Sequence, residues 1–91
     1  IKFQRTVTPA GITGAQVINK PAGTVNFAAA ASTLVVTNSI VNTSSIIPVG
    51  MRTNDLTCTI KSVVAGAGSF TINMSAPCTA ETSVGFGPIV N

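Results

Sequence analysis

Turn-forming residues punctuate this chain about every ten residues, at Pro9-Ala10-Gly11, Pro21-Ala22-Gly23, Asn38-Ser39, Asn54-Asp55, Gly66-Ala67-Gly68 and Pro77. The runs between them are rich in β-branched residues, which fit a pleated, half-buried surface. That spacing predicts an all-β fold, a small antiparallel β-sandwich or a jelly-roll-like barrel. Pro-Ala-Gly occurs twice, but two copies of a tripeptide mark two similar turns rather than a repeat architecture.

The chain has 91 residues, 45% of them hydrophobic, which is one domain over residues 1–91 and close to the size where isolated domains are marginally stable. With four Phe and no Trp or Tyr, the core must be filled by aliphatic residues, Ala and two Met. Charged residues make up only 8%, so Ser, Thr, Asn, Gly and aliphatic side chains must cover much of the surface. Such a surface protects poorly against self-association and suits a chain whose faces are covered by other copies.

The middle of the chain can be put into register by hand. A two-residue loop at Asn54-Asp55 would set Met51 opposite Cys58, Val49 opposite Ile60 and Ile47 opposite Ser62, with a mostly polar opposite face. Pro48 then occupies a site that needs no donor toward its partner, and the other side of its strand should be an edge or bulged. Placing Cys58, Ile60 and Val64 on one face with Phe70, Ile72 and Met74 demands a loop of three or five residues around Gly66-Ala67-Gly68. The expectation is a three-stranded meander from Ile47 to Ala76.

The cysteines follow from that register. With the five-residue loop Cys58 faces Ala76, which leaves Cys78 diagonal to it at roughly 7–8 Å between backbones, long for a disulfide. Cys58 is therefore expected to be buried and unbridged, although a bend at Pro77 would change the geometry.

Val84, Phe86 and Val90 alternate as a final strand interrupted by Pro88, and Val25-Phe27 and Leu34-Val36 predict two strands on either side of Ala28-Ala29-Ala30-Ala31. Ile1, Phe3 and Val7 alternate as a strand would, but Arg5 shares their face. Five residues from Ala28 to Ser32 are too few for an independent helix, despite high propensity. They form a compact connection or a single helical turn whose small side chains let a neighbouring backbone come close. Ala28, Ala29, Ala30 and Ala31 are thus the candidate oligomer interface.

Little here supports chemistry. There is no His, and the only carboxylates are Asp55 and Glu81, of which Asp55 is already accounted for as a turn residue. A nucleophilic Cys would have only lysines as basic partners, two thiols without His fall short of a zinc site, and two distant carboxylates make no calcium loop. Gly11-Ile12-Thr13-Gly14 and Gly66-Ala67-Gly68 lack a phosphate-loop signature, and the acceptor patterns at Asn42 and Asn73 are short enough to arise by chance. The reading is a non-enzyme without catalytic residues, cofactor or metal.

Net charge is +3, but Lys2, Arg5, Lys20, Arg52 and Lys61 are dispersed and no Tyr or Trp interleaves them, so nucleic acid is not an expected partner. No apolar run approaches the roughly 18 residues of a membrane helix, and no membrane insertion is expected. The chain opens on Ile1 without a signal pattern, the expectation for a processed product or one ordered piece of a longer protein.

A set of elements spanning nearly the whole chain carries a family resemblance. They are Gln16-Val17-Ile18-Asn19-Lys20, Ala22 to Phe27, the Ala run, Val35 to Ser39 with Val41, Thr53-Asn54-Asp55, Gly68 to Thr71 and Thr79-Ala80-Glu81-Thr82. Together they resemble small β-domains of virion proteins in tailed bacteriophages and prophages, while Pro48, Pro77-Cys78 and Pro88 depart from that pattern. The resemblance implies a structural part in a fibre, spike or head-decorating protein, in a homo-oligomer with a trimer favoured, beside other virion proteins in the extracellular particle and made in the host cytoplasm. A capsid decoration or cement protein is the nearest alternative. A cell-surface carbohydrate-binding module, with a host-surface glycan as partner, is the third, against which stands the lack of Trp and Tyr to stack on sugar rings.

Overall fold

The computed structural model describes residues 5–53 and 58–90. It holds eight strands: β1 (Arg5–Val7), β2 (Gln16–Val17), β3 (Ala22–Phe27), β4 (Thr33–Thr37), β5 (Val49–Met51), β6 (Ile60–Gly66), β7 (Ser69–Met74) and β8 (Thr82–Phe86). There is no helix among the described residues, so none that could cross a membrane.

The strands form two four-stranded sheets, β1-β3-β8-β5 and β2-β4-β7-β6, packed as a sandwich. The chain changes sheet at every connection except β6–β7, winding between the two layers with one plain hairpin. The all-β sandwich expected from turn spacing is therefore the fold. Its pairings are antiparallel except at two edges, where β1 runs parallel to β3 and β2 parallel to β4. The segment from β1 to β2 passes from one sheet to the other and supplies an edge strand to each.

Alternation decides what enters the core. Val25, Phe27, Val84 and Phe86 point inward from one sheet, and Leu34, Val36, Phe70, Ile72 and Met74 from the other. Phe70 and Phe86 meet across the sandwich edge to face, with ring centroids 5.1 Å apart. Such a contact adds about 1 kcal/mol beyond the area it buries. With no larger aromatic available, this pair and Phe27 carry much of the core volume.

The expected meander is corrected at its first hairpin. Strand β5 lies in the first sheet beside β8, with Val49 opposite Phe86 and Met51 opposite Val84, whereas β6 belongs to the second sheet. The Asn54-Asp55 loop lies outside the described residues, and β5 and β6, which it was expected to pair, belong to different sheets. Pairwise register could not foresee this, because a partner from the C-terminal strand offers the same apolar face. Pro48 does lead into an edge strand, since β5 has β8 alone as neighbour.

The second hairpin is present but reaches its register differently. Its loop is Ala67-Gly68, with Gly66 opposite Ser69 and Gly68 at a φ of 78°. Ile60 still faces Met74, because the register shifts between Ile60 and Ser62 and accommodates one extra residue. The odd count assigned to the loop thus sits in a bulge. As a result Val63 and Ala65 take inner positions, and Val64 is turned out to solvent at 58% exposure.

The cysteine expectation is overturned. Cys58 and Cys78 are both buried, as expected of Cys58, but they form a disulfide with 5.0 Å between Cα atoms. The strand β7 ends at Met74, and the chain bends at Ser75-Ala76 before Pro77, so Cys78 does not continue along the ladder. Ser75 still pairs with Thr59 through its N–H, at 2.8 Å from the Thr59 carbonyl. Beyond it the bend swings Cys78 inward, which removes the diagonal separation.

Candidate assembly surface

The alanine run is the crossing from β3 in one sheet to β4 in the other, at one end of the sandwich. Its expected compact form is observed as a turn closed by the Ala31 N–H on the Ala28 carbonyl, with Ala30 at a φ of 69°, as at the third position of a type II turn. Ala31 packs against the core, Ala28 is half-buried, and Ala29 and Ala30 are exposed.

A neighbouring backbone does approach this turn closely, and it is the chain's own. The Ala30 N–H donates to the Cys78 carbonyl at 2.6 Å, and the Cys78 N–H donates to the Ala31 carbonyl at 3.1 Å. The disulfide, the bend after β7 and the alanine turn therefore form one unit. Small side chains are required on the side that meets Cys78, and the tip at Ala29 and Ala30 stays open.

The larger open surface is the outer face of the second sheet. Cross-strand pairing puts Val17, Thr37, Ser69 and Gly66 in one row, Val35, Thr71 and Val64 in the next, and Thr33, Asn73 and Ser62 in a third. Val17, Val35 and Val64 are 68%, 42% and 58% exposed, and no residue of the three rows is charged. Lys61, at the bulge of the edge strand β6, is the single charged residue of the four strands. Asn73 spends its amide on the Ser62 hydroxyl, which confirms its place on this polar face.

The first sheet is treated in the opposite way. Residues 8–14 arch over its outer face and are fastened by Asn26, whose Nδ2 donates to the carbonyls of Pro9 at 2.9 Å and Ile12 at 3.0 Å, with Thr8 at 3.4 Å. Thr8 N–H donates to the Thr24 hydroxyl, and Gly14 N–H to the Asn26 carbonyl. This is why β3 is buried on both faces, with Thr24 and Asn26 buried behind the arch as Val25 and Phe27 are in the core. One sheet carries its own cover, and the other presents a bare, neutral face.

Sequence reasoning selected the alanines and missed this face. Its signal was the alternation Thr33-Leu34-Val35-Val36-Thr37 and Ser69 to Met74, in which every outward residue is uncharged. Among the described residues, no three His, Cys, Asp or Glu side chains gather into a group that would hold a metal. Comparisons with protein-family models, with curated proteins and with solved structures return no match.

Proposed function

We propose that this chain is a non-enzymatic structural domain of a phage virion, an oligomeric β-domain of a projecting fibre or spike. The observation that carries the reading is the uncharged outer face of β2-β4-β7-β6, where three exposed valines lie among Thr, Ser and Asn. A monomeric domain ordinarily interrupts such a face with charges.

The size of the face bears on the kind of assembly. Strands of two, five, six and seven residues, at about 3.3 Å per residue and about 4.8 Å apart, cover roughly 320 Å². That is less than half of the about 800 Å² per partner in a standard interface, so the face by itself sustains only weak pairing. A ring in which each copy uses two different patches, such as this face and the Ala29-Ala30 tip, buries more, and it closes at a few copies where the rotation between them permits. The trimer comes from the family resemblance and fits that geometry.

The Cys58–Cys78 bridge supports a place outside a reducing cytoplasm, because disulfides persist in oxidising surroundings. In the extracellular particle the bridge would close after release from the host cytoplasm.

Sedimentation velocity over a concentration series tests the reading. Self-association is expected in the unsubstituted chain and should be lost in Val35→Lys/Val64→Lys, whose thermal stability should be unchanged because both positions are exposed. Ala29→Glu or Ala30→Glu should weaken assembly more than folding if the alanine tip is a second patch. A monomer at every concentration, indifferent to all of these substitutions, would remove the physical basis of the proposal.

A further inference from the structure

We propose that the outer face of the first sheet carries a binding cleft for an acidic sugar, a ligand with a carboxylate at one end and hydroxyls at the other. The cleft encloses about 450 Å³ between the N-terminal arch and the end of β5, within the usual range for small-molecule sites. It is a separate surface from the one proposed for assembly, and it does not depend on that reading.

The floor of the cleft is a cross-strand row. Asn26 of β3 lies opposite Ser83 of β8, and Arg52 follows β5 on the other side of Ser83, its N–H donating to the Ser83 carbonyl at 2.8 Å. The Arg52 guanidinium donates to the Ser83 hydroxyl at 3.2 Å. Its aliphatic stem lies over Gly85, where an added Cβ would stand only 3.5 Å from Arg52 Cδ. Both contacts preset the side chain while leaving most of its five N–H donors unspent.

The Thr53 hydroxyl accepts the Ser83 N–H at 2.9 Å, which leaves its own proton to donate. Arg52, Thr53 and Ser83 therefore present a wall of donors suited to a carboxylate. Glu81 lines the same cleft, an acceptor held by the Gly11 N–H at 2.8 Å through one oxygen only. The guanidinium and this carboxylate line one cleft without bonding to each other. Opposite charges kept apart in this way suit a ligand that bridges them, its carboxylate on Arg52 and its hydroxyl protons on Glu81. Val7, Pro9 and Ala10 supply an apolar wall for the C–H face of a sugar ring, in place of the aromatic platform this chain lacks.

Amide-resolved NMR titration of the full chain with D-glucuronate, D-galacturonate, D-glucose, acetate and L-serine tests the site. Saturable shifts are expected at the Gly11, Thr53 and Ser83 amides with one of the uronates, at least about tenfold weaker with glucose or acetate. Arg52→Gln should abolish them, and Glu81→Gln should weaken the uronate several-fold while leaving acetate unaffected. Both side chains are exposed, so unaltered melting curves certify the variants as folded. No saturable shift with either uronate, or shifts that survive Arg52→Gln, would overturn the site. Equal affinity for acetate or L-serine would overturn the ligand class.

Discussion

Reduction of the Cys58–Cys78 bridge should cost this domain a large share of its stability. The two cysteines are separated by 20 residues, and a loop of that length, once opened, returns about 3 kcal/mol of conformational entropy to the unfolded chain. A domain of this size has a total stability of only about 5–10 kcal/mol. The melting temperature of a chain of about 90 residues falls by roughly 4–8 °C per kcal/mol, so a drop of about 15 °C is expected with a phosphine reductant. The damage should also be local at first. The alanine turn hangs on Cys78 through two backbone hydrogen bonds, so the Ala30 and Cys78 amides should exchange faster before the rest of the core opens. The assay is a pair of calorimetric melts with and without reductant, beside a Cys58→Ala/Cys78→Ala variant that should behave like the reduced chain. Alkylation of the unfolded, unreduced chain should leave both thiols unmodified with a mass two daltons short. A melting temperature that ignores reductant, or full alkylation without it, would refute the bridge and the bend that creates it.

Other positions have equally definite outcomes. A Cβ at Gly87 would stand 2.5 Å from the Pro21 carbonyl oxygen on a backbone with φ of 108°, so Gly87→Ala should lose at least about 3 kcal/mol in chemical denaturation or fail to fold. Ala30→Gly should gain about 0.5–1 kcal/mol by relieving its positive φ, while Ala29→Gly, without that relief, should not. Asn38→Ala should lose about 2–3 kcal/mol in the same assay, because a fully buried amide that binds the Lys20 carbonyl and the Ile40 N–H is removed. Asn26→Leu should release the N-terminal arch, read as protease cleavage within residues 8–14 before global unfolding.

The parts of this fold legible in the sequence are those set by local period. Val25 and Phe27, Leu34 and Val36, Phe70, Ile72 and Met74, Val84 and Phe86 all alternate in sequence and all enter the core. The interruption at Pro88 was legible too: β8 ends at Phe86, and Val90 stands half-exposed in an isolated bridge to Ile46. The parts that were not legible depend on which sheet a strand joins. Val49 and Met51 present the same apolar face to β8 as they would to β6, so alternation could not distinguish a hairpin from a crossing. The disulfide was hidden for a similar reason: register extrapolated through Ser75-Ala76 assumes a straight strand, and the chain bends there.

The two buried asparagines differ in sequence setting, Asn26 inside β3 between Val25 and Phe27 and Asn38 just after β4 between Thr37 and Ser39, and they organise opposite ends of the sandwich. Asn38 joins three connections at one end of the sandwich, through the Lys20 carbonyl, the Ile40 N–H and the bond from its own backbone N–H to the Gly68 carbonyl. Asn26 fastens the arch that covers the first sheet. A buried amide is costly unless its hydrogen bonds are made, and no buried side-chain N or O among the described residues lacks a partner. Specificity in this small core thus rests on polar clasps as much as on its three inward-facing Phe. The asymmetry that follows is functional in kind. The chain spends its arch, its clasp and its described carboxylate on the outside of the first sheet, where the cleft is formed, and on the outside of the second only the Asn73–Ser62 bond, with Lys61 the single charge of its four strands. A domain built to stay monomeric would gain by placing even one lysine at Val35 or Val64. On the proposals above, the neutral face is where this chain meets other copies, and the clasped face is where it binds a ligand.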